Sequence, residues 1–304
     1  MITQHISVKA AVSFRLQGQR PYQEDSRWPD TDTPPVDTRT FIVCDGVGGA
    51  AAGDVASATV CRSMAQFMKG VPETRPLTHI DIRRAVTRAY YDLEEAAGEG
   101  ARQMATTLTL VHIHPGGVTA IHAGDSRIYL FRPGSGIIYR SNDHSLVNTM
   151  VHRGLITPEN AEGHPQSNII TRSLSPAEDY DDRSPVTVRE FSTPCRGDII
   201  LLCSDGVLEC ICDEELERIM LGKASLQDKC KRLKDICRVS HDNATAMIVE
   251  IEGPEEYVEE IEEDAEESGT RTKSISTSEG ITTDIAPLHP RLSFIQRIKR
   301  IFRR

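Results

Sequence analysis

Phe41-Ile42-Val43-Cys44-Asp45-Gly46-Val47-Gly48-Gly49 is the stretch from which the rest of the chain is read. Its four apolar residues predict a short buried strand. The strand ends on a carboxylate, and three glycines follow within four positions. Glycine permits tight turns and lets backbone oxygens come close to a ligand. Two readings are open at this point. One is an Asp-Gly turn with a solvated side chain. The other is an oxygen ligand at the end of a rigid strand, flanked by backbone oxygens, which suits a hard cation such as Mg²⁺ or Mn²⁺.

Other carboxylates sit in similar places. Asp198-Ile199-Ile200-Leu201-Leu202-Cys203-Ser204-Asp205-Gly206 repeats the pattern of an apolar run closed by Asp-Gly. Asp242-Asn243 stands at the entry to a last apolar strand, 246–251. Asp125 lies in Gly124-Asp125-Ser126, a small-residue kink between two runs of an antiparallel meander spanning 105–139. Towards the N-terminus, after a half-buried strand over 6–15, Arg20 precedes Glu24-Asp25 by four residues. That arrangement is either a surface ion pair on a loop, or a guanidinium able to clamp phosphate beside a carboxylate able to bind metal.

Between these points the apolar spacing predicts helices. Ala56, Val60, Met64 and Phe67 form one stripe, and Ile82, Val86, Ala89, Leu93 and Ala96 another, with Thr78 and Asp81 set as a capping box. Asp213 is expected to cap a short helix, and a further helix is expected from Ser225 to about Val239. Both stripes are core. Residues 29–38 read as a loop. Residues 142–175 combine a short helix, Ser145 to Arg153, with a looser excursion. An excursion of that kind is a lid or a decorated surface loop. His112, His114 and His122 alternate along strands without a cysteine or glutamate at zinc-ligand spacing.

Composition excludes several classes. The 304 residues are 38% hydrophobic and 26% charged, enough for a large core with a non-globular part besides. A formal net charge of −10 argues against nucleic acid as the main partner. No apolar run reaches a membrane span, and the first residues lack the pattern of a secretory signal. The eight cysteines are scattered, several within apolar runs, which fits reduced core residues and a cytoplasmic protein.

Five motifs taken together resemble the metal-dependent serine/threonine protein phosphatases of the PPM, or type 2C, family in its bacterial form. They are Arg20 with Glu24-Asp25, Asp45-Gly46, Gly124-Asp125-Ser126, Ser204-Asp205-Gly206 and Asp242-Asn243. The resemblance covers residues 5 to 252. It implies an α+β fold, an α-β-β-α sandwich of two antiparallel sheets flanked by helices. It also implies two Mn²⁺ or Mg²⁺ ions, with a third weaker site in many members. In that pattern Asp45 bridges both ions, Glu24 and the Gly46 carbonyl serve one, and Asp205 and Asp242 serve the other. Asp125 joins Asp205 at the third site, Asp25 positions water, and Arg20 grips the phosphate. The chemistry implied is attack of a metal-activated water on a phosphoserine or phosphothreonine monoester, without a phosphoenzyme. Many eukaryotic members carry histidine where this chain has Val47, so the general acid is left open between water and a lid histidine, His144 or His152.

The domain organisation expected is a phosphatase domain over 1–252, an acidic and Ser/Thr-rich disordered linker over 253–289, and a basic amphipathic helix over 290–304. Residues 255–267 hold nine carboxylates and no basic residue, too little apolar surface to offset ordering. Ile295, Ile298, Ile301 and Phe302 share one helical face among basic residues. That segment fits docking to a membrane surface or a partner, or folding back on the acidic run. The partners expected are phosphorylated proteins and a cognate serine/threonine kinase, with the chain monomeric. Two competing readings remain: a catalytically silent pseudophosphatase that binds phosphoproteins or scaffolds a kinase, and a hydrolase of small phosphoesters.

Overall fold

The structure is a computed structural model that describes residues 6–47, 52–72, 74–98, 104–161, 164–176, 186–253 and the strand 282–285. In chain order the strands and helices are β1 Ser7–Leu16, β2 Ser26–Trp28, β3 Thr40–Cys44, β4 Gly46–Val47, α1 Gly53–Lys69, α2 His79–Ala97, β5 Ala105–Thr106, β6 Leu108–His114, β7 Gly117–Ala123, β8 Arg127–Arg132, β9 Gly136–Arg140, α3 Leu146–His152 and α4 Pro158–Ala161. They continue with β10 Val186–Phe191, β11 Ile199–Cys203, α5 Asp205–Leu208, α6 Asp213–Met220, α7 Leu226–Ile236, β12 Ala244–Glu252 and β13 Thr282–Ile285.

Alternation along the buried strands builds the layers. In β3, Ile42 and Cys44 pack with α1 and α2 residues such as Val60, Met64, Ile82 and Leu93. Phe41 and Val43 point the other way and meet Ile200, Leu202, Met247 and Val249 of the opposing sheet. In β11, Ile199, Leu201 and Cys203 face Leu216, Met220 and Leu233 of α6 and α7. Three apolar layers therefore separate helices, sheet, sheet and helices, the sandwich expected for the family. A strand buried on both faces needs the continuous apolar run that β3 and β11 show.

One sheet has the order β1-β12-β11-β8-β9 and the other β13-β10-β7-β6-β3-β2, with β4 and β5 as a separate pair. All the described pairings are antiparallel. The capping box of α2 is present: Thr78 Oγ1 accepts from the Asp81 N–H, and the Asp81 carboxylate accepts from the Thr78 N–H.

Several expectations change. Asp213 is the first residue of α6 and Cys212 the cap. The Asp213 carboxylate instead accepts from the Tyr129 hydroxyl at 2.8 Å and from Arg140 at 2.5 Å. Within the stretch expected to be linker, Thr282–Ile285 pairs with Val186–Arg189 and covers the β10 edge of its sheet. An open strand edge offers unpaired backbone groups, which four residues suffice to occupy. The remaining tail, including 290–304, lies outside the described residues. No helix among the described residues is long and apolar enough to cross a membrane.

Candidate active site

The site lies at one end of the sandwich, where β3 and β11 each deliver a carboxylate. Asp45 follows β3, and Asp205 follows Ser204 at the end of β11 and starts α5. The two carboxyls act on each other electrostatically. Burial, with Asp25 and Asp205 close by, pushes the Asp45 carboxyl well above its ordinary range. Burial and Asp242 raise Asp205 as well. Asp25 and Asp125 are each pushed up to about 7, chiefly by burial, with Asp205 adding to both. A cluster of this kind disfavours its own ionisation and is relieved by cations.

Neutral groups hold the backbone in place. The Asp45 N–H donates to Thr107 Oγ1 at 3.0 Å, and the Asp45 carbonyl accepts from the Thr107 N–H and the Thr106 hydroxyl, each at 2.9 Å. Ser204 Oγ donates to Asp25 Oδ2 at 2.8 Å and accepts from the Thr245 N–H at 2.9 Å. Asn243 ties the Arg20 loop to the site. Its amide nitrogen donates to the carbonyls of Gln17 (2.7 Å) and Tyr22 (3.0 Å), while its Oδ1 accepts from the Glu24 N–H at 2.7 Å. Gly18 (φ +61°) lets that loop turn against the Asp242 carbonyl, which a side chain would strike.

The residues present fit a divalent cation. A Cβ placed on Gly53 would meet Glu24 Oε1 at 2.5 Å and the Gly46 carbonyl oxygen at 2.9 Å. Two hard oxygen donors therefore look onto one small volume that glycine keeps clear. Asp25, Asp125 and Asp205 each have an Oδ1 that is buried without a hydrogen-bond partner. Orphaned carboxylate oxygens are costly and call for a ligand. Among the described residues no three acidic, histidine or cysteine side chains close around one point. Asp242 is drawn to Arg20, whose Nη2 lies 2.5 Å from its Oδ2.

A cavity of about 480 Å³ opens at this cluster, lined by Arg20, Asp125, Asp205 and Asp242 together with Glu209, His241, Ser167 and Asn168. Glu24 and Gly46 lie beside Gly53, and Asp25, bonded to Ser204, is 2% exposed. Val47 is exposed and has no proton to give. The lid histidines do not reach the cleft. His144 Nδ1 accepts from the Gly124 N–H (3.3 Å) and Nε2 donates to Thr187 Oγ1 (3.0 Å), and both His144 and His152 line a separate cavity. The histidine that does line the cleft is His241, held through Nδ1 by Glu209 Oε1 at 3.1 Å. The sequence reading passed over it, as it passed over Gly53 and Thr107.

A profile of the protein phosphatase 2C family matches residues 19–240, and the chain belongs to that family. The protein phosphatase PhpP of Streptococcus pneumoniae is 34% identical over 222 residues, 69% of this chain and 85% of PhpP. The crystal structure of the Mycobacterium tuberculosis serine/threonine phosphatase PstP/Ppp superposes with a TM-score of 0.68 at 29% identity, covering 80% of this chain and 98% of that one. The PstP catalytic domain has also been solved in complex with two manganese ions. It matches with a TM-score of 0.65 at 26% identity, over 81% of this chain and 99% of that one.

Proposed function

We infer that this chain is a metal-dependent protein phosphatase that hydrolyses phosphoserine and phosphothreonine in proteins. Family membership supports the activity, and the observation that carries the site is the shared volume in front of Glu24 Oε1 and the Gly46 carbonyl. In this reading Glu24 and Gly46 hold one Mn²⁺ or Mg²⁺, Asp205 and Asp242 a second, Asp45 both, and Asp125 with Asp205 a weaker third. When bound, such ions offset the charge of the phosphomonoester dianion and supply hydroxide-like water at neutral pH. Oxygen-only donors favour these hard cations over Zn²⁺.

The chain's own residues do the rest. Arg20 stands at the cleft with one edge of its guanidinium on Asp242, and its other donors are available to a phosphate in the fork geometry such groups favour. Asp25, anchored by Ser204, keeps a buried oxygen without a partner, which would hold a proton of a bound water. Every carboxylate of the family pattern is kept, so the silent pseudophosphatase reading has no support.

The test is hydrolysis of a phosphothreonine peptide with Mn²⁺, with chelator, and by Asp45→Asn. Turnover that needs the ion and is lost in the variant supports the reading. A sugar phosphate turned over faster than the peptide would favour the small-ester reading. We further propose a cytoplasmic monomer opposed by a serine/threonine kinase, with 290–304 as a docking segment for an anionic membrane surface. Unchanged vesicle binding after deletion of 290–304 would remove the last idea.

A further inference from the structure

Asp205 and Asp242 reach the site on two segments that run side by side. Asp205 opens α5, and Asp242 stands two residues before β12. At the strand end the segments are joined twice. The Ser204 N–H donates to the Thr245 carbonyl at 3.0 Å, and the Thr245 N–H donates to Ser204 Oγ at 2.9 Å. Further along the backbones touch. A Cβ on Gly206 would lie 2.1 Å from the Asn243 carbonyl oxygen and 3.2 Å from Ser240 Oγ.

Glu209 and Ser240 make the fastening beyond that contact. Glu209 follows α5, and its N–H donates to the Asp205 carbonyl at 2.9 Å, which sets it one helical turn past Asp205. Its Oε2 accepts from the His241 N–H and its Oε1 from His241 Nδ1, both at 3.1 Å. Ser240 is fully buried. Its Oγ accepts from the Asp242 N–H at 3.1 Å. The one hydroxyl proton has the Gly206 carbonyl (3.0 Å) and Glu209 Oε2 (3.1 Å) as acceptors. A single side chain thus meets the residue after Asp205, the residue one turn past it, and the backbone of Asp242. None of these bonds involves Glu24, Gly46 or Gly53.

We propose that Ser240 and Glu209 are positioning residues that fix Asp242 against Asp205, and so set the affinity of the ion assigned to those two aspartates. The proposal rests on the phosphatase reading and deepens it, because it makes the two ions separately tunable from different parts of the chain. Two like charges drift apart unless something holds them, and groups that orient a metal ligand change metal affinity about 10- to 100-fold. Ser240 is neutral, so its effect is geometric. Glu209 lines the cleft and acts through its bonds to 240–241 rather than through its charge.

The experiment titrates the full chain, stripped with chelator, with Mn²⁺, and reads the free ion by electron paramagnetic resonance. Wild type is expected to take up two ions. In Ser240→Ala, and separately in Glu209→Ala, one binding step weakens about ten-fold or more and the other stays within about two-fold. Gly53→Ala, which disturbs Glu24 and Gly46, weakens the other step. Glu209→Gln keeps an oxygen for the His241 N–H and for Ser240, and loses about three-fold or less. Three results overturn the proposal: neither step weakened in the alanine variants, both steps weakened alike, or equal losses in Glu209→Gln and Glu209→Ala, which would assign the effect to charge. Hydrolysis of a phosphothreonine peptide is followed in the same samples. No turnover by wild type with two ions bound refutes the phosphatase reading, and the binding steps still decide the positioning. A wild type that takes up no Mn²⁺ overturns both.

Discussion

Asp81 and Asp45 carry the same side chain in opposite surroundings. Asp81, in the first turn of α2, receives two hydrogen bonds from the Arg75 guanidinium (2.5 and 3.1 Å), together with bonds from the Thr78 N–H and hydroxyl. Arg75 first, and then Thr78, hold its carboxyl well below the usual range. Asp45 faces burial, Asp25 and Asp205, and is pushed up. One aspartate is placed where the fold rewards its charge. The other is placed where the fold opposes it, which is what a site awaiting cations looks like.

The sharpest way to break this contrast is to neutralise each carboxylate in turn. Asp45→Asn is expected to lower kcat/KM by on the order of a thousand-fold, the several kcal/mol that cation-assisted charge stabilisation supplies. In metal-free buffer the same variant is expected to raise the melting temperature, because one member of a like-charged cluster is gone. Asp81→Asn should do the reverse, lowering the melting temperature while hydrolysis is unaltered. Paired melting curves and peptide assays check both signs. An Asp45→Asn protein less stable than wild type without metal would mean that the cluster is held together by its shared proton.

Gly53→Ala comes next in size. Alanine is a better helix former at an ordinary helical position, but Gly53 opens α1 and a Cβ there would lie 2.9 Å from the Gly46 backbone oxygen, so some stability should be lost as well. The new methyl meets Glu24 Oε1 and the Gly46 carbonyl. Activity should fall about 10- to 100-fold, the usual cost of disturbing groups that orient a metal ligand, and the Mn²⁺ concentration for half-maximal activity should rise. Full activity would show that Glu24 does not work from this position. Ser204→Ala follows, at about ten-fold in activity and about 1–2 kcal/mol in stability, since Asp25 and the Thr245 N–H each lose a buried partner.

The contrast also explains which features are legible from sequence. Asp45, Asp205 and Asp242 announce themselves because each follows or precedes an apolar run, and the Asp81 capping box because its partners are three residues apart. Gly53 and Thr107 are silent, and Asn243 is marked only as the neighbour of Asp242, with no sign of what it holds. Their roles arise from contacts across 29, 62 and 219 residues of chain, Gly53 to Glu24, Thr107 to Asp45 and Asn243 to Glu24. His144 misleads for the same reason. Nothing local shows that Gly124 and Thr187 hold its two nitrogens away from the cleft. The strand β13 escapes notice because its strand-forming residues follow a long polar stretch, and only the β10 edge gives them a partner.

The smallest effect belongs to Asp81 and carries a sign that isolates its cause. Asp81→Ala removes one half of the capping box and should cost about 1 kcal/mol. The folded-state carboxyl is held below its unfolded value near 3.9. Its contribution is therefore complete above about pH 4 and is lost as pH falls further, because the folded protein then has to take up a proton it binds weakly. Wild type and Asp81→Ala should differ most near pH 7 and converge in strong acid when urea midpoints are compared. The Arg75 side chain keeps 39% of its surface exposed at this pair, so added salt should narrow the gap at pH 7, leaving the part due to the Thr78 N–H. A gap that salt leaves untouched would assign the whole effect to the cap.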